Sequence, residues 1–295
     1  MSVSEREPLL GDGHKTCPVT GKTGDGHEFV PPMEGDVRSV CPAINAMANH
    51  GYIPHDGKGV TPWMIFRGLR ACYGLSIPLA LTLTGGGWFF NKRYFGQAIT
   101  LVELGLHNGV EHDASVVHGD TPVPPPVVGH DGKVTVNTAR KGLLAPVAII
   151  PALVEEFISS IVKRASLEAS TTEFVTPTLP ATLPESAVLI TGHDIVQTRL
   201  RREAQSPPLD PFHAELARGE MSIILGVWET QKPLSPLPSG SPIPAPGIPL
   251  PWMRHWLAEE RLPDGWKPTH VQGLRDVIRR STAMRKEMKA IREGK

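Results

Sequence analysis

The stretch Arg38-Ser-Val-Cys41-Pro42-Ala-Ile-Asn-Ala-Met-Ala-Asn49-His50-Gly51 decides how the chain is read. A cysteine is followed at once by a proline, then by a short run of good helix formers, then by a glycine. Proline is favoured at the first position of a helix and glycine just past the last. Cys41 therefore falls at the N-cap of a predicted helix that closes at Gly51. There its sulfur faces backbone N–H groups without partners in the helix, at the positive end of the helix dipole. Both favour thiolate over thiol. A thiolate held this way is a metal ligand, a nucleophile or a redox sensor, and the rest of the chain must decide which.

The chain has 295 residues, 40% of them hydrophobic, enough for one large domain or two modest ones. Its 30 Lys and Arg balance 30 Asp and Glu. That balance implies no bulk pull toward nucleic acid or an anionic membrane. The cysteines (Cys17, Cys41, Cys72) show no CxxC spacing and no even-numbered framework, which suits a reducing compartment. The opening MSVSEREPLLGDGHK is polar and lacks the apolar core of a signal peptide, and there is no Asn-X-Ser/Thr sequon. An intracellular, cytoplasmic protein is expected.

Ala71 to Phe90 is nearly uncharged and about long enough to span a bilayer. Pro78 and Gly85-Gly86-Gly87 interrupt it, so it reads as a turn at Ser76 between two buried helices. Gly142 to Val154 is too short to span and also reads as buried core. Buried core is the expected reading of both, with peripheral membrane contact the minority one.

Along the chain, residues 1–30 lack periodicity and read as an irregular lead-in, with residues 31–295 as one domain. Cys17-Pro18 precedes a sequence that cannot make a helix, which leaves Cys17 a bystander. Thr61-Pro62 opens a helix to about Tyr73. Another runs through Pro78-Leu-Ala-Leu-Thr-Leu, up to the glycines. Thr100-Leu-Val-Glu103 is a capping box for a helix ending at Gly109. Pro151 to Arg164 is amphipathic. Residues 165–190 read as a surface excursion, and Thr191 starts a helix to about Gln205. Residues 121–127 and 231–251 are Pro-rich loops. Trp252–Glu260 and Thr269–Arg292 are the last helices. The fold class is all-α.

Asp210-Pro211 opens a helix to about Trp228. On its wheel Glu220 falls at the centre of a stripe formed by His213, Leu216, Ala217, Ile223, Ile224 and Val227, with Glu215, Arg218 and Ser222 opposite. A carboxylate placed there is either buried at a cost or lines a cavity. By itself it could equally pair with an arginine of the Arg199–Arg202 run. Val110-Glu111-His112-Asp113-Ala114-Ser115 offers four side chains able to bind metal or move protons. His112 alone is more often a hydrogen-bonded structural histidine, and His50, His107 and His213 read as structural.

In order, Arg38–Pro54, Leu106–Ser115, Ala217–Glu220 and Glu259-Glu260-Arg261-Leu-Pro263-Asp-Gly-Trp266-Lys resemble the heme-thiolate peroxidase family, which comprises fungal chloroperoxidases and unspecific peroxygenases. The resemblance covers roughly residues 31 to 290. It implies a single multi-helix domain enclosing heme b and using hydrogen peroxide to oxidise, hydroxylate or halogenate a small apolar organic substrate. Cys41 would be the proximal iron ligand, with Pro42 and Ala43 at the heme. Glu220 would be the distal acid–base group, its pKa raised by the apolar stripe, with His112 beside it and oriented by Asp113. Glu111, the His112 carbonyl and Ser115 would bind Mg²⁺ or Mn²⁺, since all three ligands are oxygens. Leu79, Leu83, Ile223 and Val227 would line the approach. Where the family has Pro-Cys-Pro, this chain has Val40 in the first place, and it lacks the signal peptide of the secreted members. The alternative reading is a non-catalytic heme sensor or carrier.

Overall fold

The computed structural model describes residues 26–125, 127–128, 130–131, 133–135, 140, 142–171, 183–230, 234–235 and 246–295. Cys17, most of the lead-in and much of the Pro-rich 231–251 loop lie outside these residues. The described part is helical, as its sequence predicts. The helices are α1 Pro42–Asn49, α2 Pro62–Tyr73, α3 Ile77–Phe90, α4 Pro151–Thr171, α5 Gly192–Gln205, α6 Pro211–Trp228, α7 Leu250–Glu259 and α8 Leu274–Arg292. Two antiparallel two-residue ladders accompany them: β1 Val127–Val128 with β2 Val134–Thr135, and β3 Leu189–Ile190 with β4 Ile248–Pro249.

The helix starts follow the predicted chemistry. The Thr61 hydroxyl accepts from Met64 N, Ser76 from Leu79 N, and the Asp210 carboxylate from Phe212 N and His213 N. Each satisfies amides that a helix cannot pair internally. The ends move more. α3 runs through its three glycines to Phe90, because packing against α2 supplies what propensity withholds. α4 extends to Thr171, seven residues beyond the predicted end at Arg164. The helix expected from Thr100 to Gly109 is a 3-10 turn, Leu101–Gly105, although the Thr100 amide does bond Glu103 Oε2 at 2.6 Å as the capping box requires.

Burial departs from the sequence reading in three places. Ile77, Leu81, Phe89 and Phe90 of α3 are exposed rather than core, and so are Leu144, Val147 and Ile150. The α6 face that carries Arg218 and Ser222 is buried, because it packs on α8. There the Ser222 hydroxyl donates to the Arg218 carbonyl at 2.7 Å and approaches Met284 Sδ at 3.7 Å. A wheel separates polar from apolar but cannot tell water from a polar helix contact. Finally, residues 27–30 of the lead-in pack on the domain. His27 stacks on Tyr52 with ring centroids 3.7 Å apart, and Val30 N donates to Asn49 O.

The core is continuous from α1 through α2 and α7 to α8. Trp228 stacks on Trp266 at 4.2 Å, with Trp252 and Trp256 alongside, and the Trp266 indole donates to the Cys72 carbonyl at 2.8 Å. Large aromatic surfaces of this kind carry much of a core's hydrophobic energy. One glycine matters for the site. Gly57 has φ +68°, and a Cβ there would lie 2.0 Å from the Val37 carbonyl oxygen. Only glycine lets the chain ahead of Cys41 lie this close.

Candidate active site

Cys41 sits at the N-cap of α1, with Pro42 at the first helical position. The loop before it is held from several sides. The Ser39 amide donates to Asn45 Oδ1 at 2.8 Å, and Asn45 Nδ2 donates back to the Ser39 carbonyl at 2.7 Å. The Arg38 guanidinium donates to Asn49 Oδ1 at 2.6 Å and to the His55 carbonyl at 2.8 Å. The amides of Ala43 and Ile44 act on the sulfur and favour its ionised form, as the helix start predicts. They are outweighed. Burial, first, and the charge of Glu220 push the thiol up to about 11. Desolvation thus outweighs the helix terminus at this sulfur. Val40, the departure before Cys41, packs against Gly105, where a Cβ would come within 3.2 Å of its Cγ1.

Glu220, on α6, is the charged side chain that adds most to this upward push on Cys41. The Glu220 side chain is 53% exposed, so it does not lie buried in the stripe. Its Oε2 is 3.4 Å from His112 Nε2, whose side chain is only 8% exposed. The His112 Nδ1–H donates to the Asp113 carbonyl at 2.7 Å. With Nδ1 committed as donor, a neutral ring offers Nε2 only as acceptor. The contact with Glu220 therefore requires one proton shared by the pair, on the imidazole or on the carboxyl. Burial pulls the His112 pKa down. Glu220, by charge and hydrogen bond, and the Asp113 carbonyl more than reverse this, leaving it raised.

Asp113 thus orients His112 through its backbone. Its carboxylate, expected to do this, instead takes a fork from Arg140 at 2.9 and 2.6 Å and accepts from Thr121 N at 3.1 Å. Glu111 turns onto His107 (2.7 Å, both buried), and burial raises its pKa despite that partner. The Ser115 hydroxyl accepts from Val117 N at 3.2 Å and His118 N at 3.1 Å. The side chains of Glu111 and Ser115, expected as Mg²⁺ or Mn²⁺ ligands, are therefore engaged by protein donors. Among the described residues no group of three His, Cys, Asp or Glu could hold a metal ion. Of the expected channel residues, Leu79 and Val227 belong to the buried core, while Leu83 and Ile223 are half-buried. The wheel gave their face but not what covered it.

Two positioning residues were missed as such. Arg199 Nη1 donates to the Ala114 carbonyl at 2.7 Å, and Arg202 Nε to the Ser115 carbonyl at 2.7 Å. They clamp a loop in which Ala114 has φ +66°, a strained value for a residue with a side chain. Arg199 is 1% exposed and no salt bridge joins it to Glu220. The sequence signal was the Arg199–Arg202 spacing on one helix face, read there only as a partner for Glu220.

The chain was compared with known proteins. A sequence profile of the family described as "Peroxidase, family 2" matches residues 27–271. The chain is 34% identical over 146 residues to "Aromatic peroxidase fscJ" of Fusarium equiseti, covering 40% of this chain and 32% of that protein. It is 58% identical over 33 residues to "Chloroperoxidase" of Leptoxyphium fumago (11% of this chain, 9% of that one). Against "Aromatic peroxygenase" of Cyclocybe aegerita it is 27% identical over 139 residues (40% and 37%). The chain thus spans well under half the length of the curated relatives it matches. The profile covers most of the chain and takes in Cys41, the Glu111–Ser115 loop and Glu220, and on that extent the chain belongs to peroxidase family 2.

Proposed function

We propose that this protein is a heme-thiolate peroxidase or peroxygenase that uses hydrogen peroxide to oxidise a small apolar organic substrate. The observation that supports this most is the pairing of Glu220 with His112, Oε2 to Nε2 at 3.4 Å, in a chain whose Cys41 stands at the start of α1. The donor set fits a heme iron. The sulfur is soft and sits at the start of α1, followed by the partly buried apolar residues Ala43 and Ile44. A thiol at about 11 gives up its proton readily only to a metal, which deprotonates it outright. When bound, the heme supplies the iron at which peroxide is cleaved, with thiolate donation favouring heterolysis.

The chain's own residues supply the rest. Cys41 would hold the iron through its sulfur. Glu220 takes a proton at Oε2 from incoming peroxide and returns it to the departing oxygen. His112 shares one proton with Glu220, so the carboxyl has a reservoir within 3.4 Å. The Asp113 carbonyl fixes the ring so that Nε2 faces Glu220.

The test is spectroscopic first. The protein reconstituted with heme, reduced and exposed to carbon monoxide should show the red-shifted Soret band of a thiolate ligand, and Cys41→Ser should lose it. A band without that shift overturns the assignment of Cys41. A thiolate signature together with inertness to peroxide across apolar substrates would favour the sensor or carrier reading.

A further inference from the structure

Between Asp56 and Glu103 the chain contains no acidic residue, yet it contains Lys58, Arg67, Arg70, Lys92 and Arg93. The balanced charge of the whole chain conceals this. The segment folds as the α2–α3 hairpin and the loop that follows it. Neither α3 nor its exposed face carries a charged side chain, and Ile77, Leu81 and Phe89 recur there at helical spacing, open to solvent.

One end of the hairpin is densely aromatic. Trp63 is 62% exposed, Phe89 75%, Tyr94 86% and Phe95 75%. These side chains come together for a structural reason. Val60, just before α2, pairs with Ile99, and the Trp88 indole donates to the Gln97 carbonyl at 2.8 Å. The start of α2, the end of α3 and the Tyr94–Phe95 turn are thereby drawn to the same end. Arg67 and Lys92 at this surface have no ion-pair partner among the described residues, and Arg93 is paired with Glu103.

We propose that this face docks on an anionic lipid surface. Aromatic rings settle at the headgroup level of a bilayer, aliphatic side chains just beneath, and Lys and Arg against lipid phosphates. The face offers all three, and Glu103 offsets only Arg93 among its cations. A second copy of the chain would set the same cations against themselves. Single-stranded nucleic acid could stack on the rings but would leave Ile77 and Leu81 uncovered. No helix among the described residues is long and apolar enough to cross a membrane, so the contact is peripheral.

The surface leads toward the candidate active site. The Phe90 ring lies 4.7 Å from Phe212, Phe212 lies 5.2 Å from His213, and His213 lies 6.4 Å from His112. A lipid-docked protein would bring Glu220 and His112 toward apolar compounds dissolved in the bilayer. That consequence rests on the peroxidase reading, whereas docking itself does not.

The experiment is co-sedimentation of the full chain with vesicles, with or without heme. Equimolar phosphatidylcholine–phosphatidylserine vesicles should carry the protein down and pure phosphatidylcholine should carry little. Added salt should release it. Each of R67E and K92E should lower partition by about fivefold or more. The double variant F89S/F95S should lose binding at an unchanged thermal melting midpoint. On the unsubstituted protein, brominated lipid should quench tryptophan fluorescence, and Trp63→Phe should remove the quenched fraction. Absence of sedimentation with either vesicle, partition indifferent to these substitutions, or retention on single-stranded RNA instead of vesicles would overturn the proposal. Heme ligation and peroxide turnover in solution would be untouched by any of these results, so the two readings fail separately.

Discussion

Asn45 Nδ2 donates to Glu260 Oε1 at 2.6 Å, joining residues 215 positions apart in the chain. The same amide group holds both backbone atoms of Ser39. The first turn of α1, the loop carrying Cys41 and the end of α7 are thereby one unit. Asn49 repeats the arrangement one turn later, between Arg38 and the Glu260 carbonyl. Glu260 itself sits at φ +52°, which bends the chain sharply enough for both contacts.

Asn45→Ala should destabilise the fold by about 3 kcal/mol, because it strands three buried polar partners at about 1–3 kcal/mol each before relaxation. Glu260→Gln should behave differently. Burial, only partly offset by Asn45 and Arg38, raises the Glu260 pKa. A carboxyl raised in the folded state stabilises below its unfolded pKa and loses that contribution as pH rises through the folded value. The glutamine keeps an acceptor for Asn45 without the charge. It should equal or exceed the native protein near neutral pH and lose that advantage toward about pH 4. Urea midpoints at the two pH values decide it.

Glu220→Gln should lower peroxide turnover by about 10²–10⁴-fold while the heme spectrum stays unchanged. Survival of turnover would remove Glu220 from the acid–base role. Loss of the spectrum would make it structural.

The His112–Glu220 pair should be pH-dependent in a stated direction. The His112 pKa is raised above its ordinary value. Its contribution is therefore full below about pH 6.5 and is lost as pH rises through the higher folded value. His112→Gln should cost up to about 1 kcal/mol at about pH 6, because Glu220 is half exposed to solvent, and close to nothing at about pH 9. A cost that grows with pH would contradict the shared proton.

Cys41 in the heme-free protein should be a sluggish nucleophile. Carried out in a Cys17→Ala background, alkylation by iodoacetamide should rise with a midpoint at about 11, with buried Cys72 silent. Heme loading should abolish the reaction. A midpoint below that of free cysteine, about 8.5, would show that the helix terminus prevails over burial.

Arg199→Met should loosen the Ala114 turn without touching the iron ligand. The thiolate spectrum should persist, kcat should fall, and the pH profile set by His112 should move upward, because the Arg199 charge lowers the His112 pKa. Arg199→Lys should rescue little, since a lysine cannot reproduce the directed fork that reaches both Ala114 and Glu203.

By itself the sequence determined what depends on local chemistry. Cys41-Pro42 marks a helix start wherever it folds, Thr61-Pro62 and Asp210-Pro211 do the same, and ordered motifs point to one family. It also placed Glu220 on the same α6 stripe as Ala217 and Ile224. Only the tertiary structure decided what that stripe faces. Arg218 and Ser222 look solvent-directed on a wheel, yet they are buried against α8, because a helix's surroundings come from segments distant in sequence. The same limit explains Asp113, whose carboxylate goes to Arg140 rather than His112, and Glu111, which turns to His107. It explains Cys41 as well. The sequence shows the amides that favour thiolate, but desolvation and the field of Glu220 exist only once the chain has closed around the sulfur.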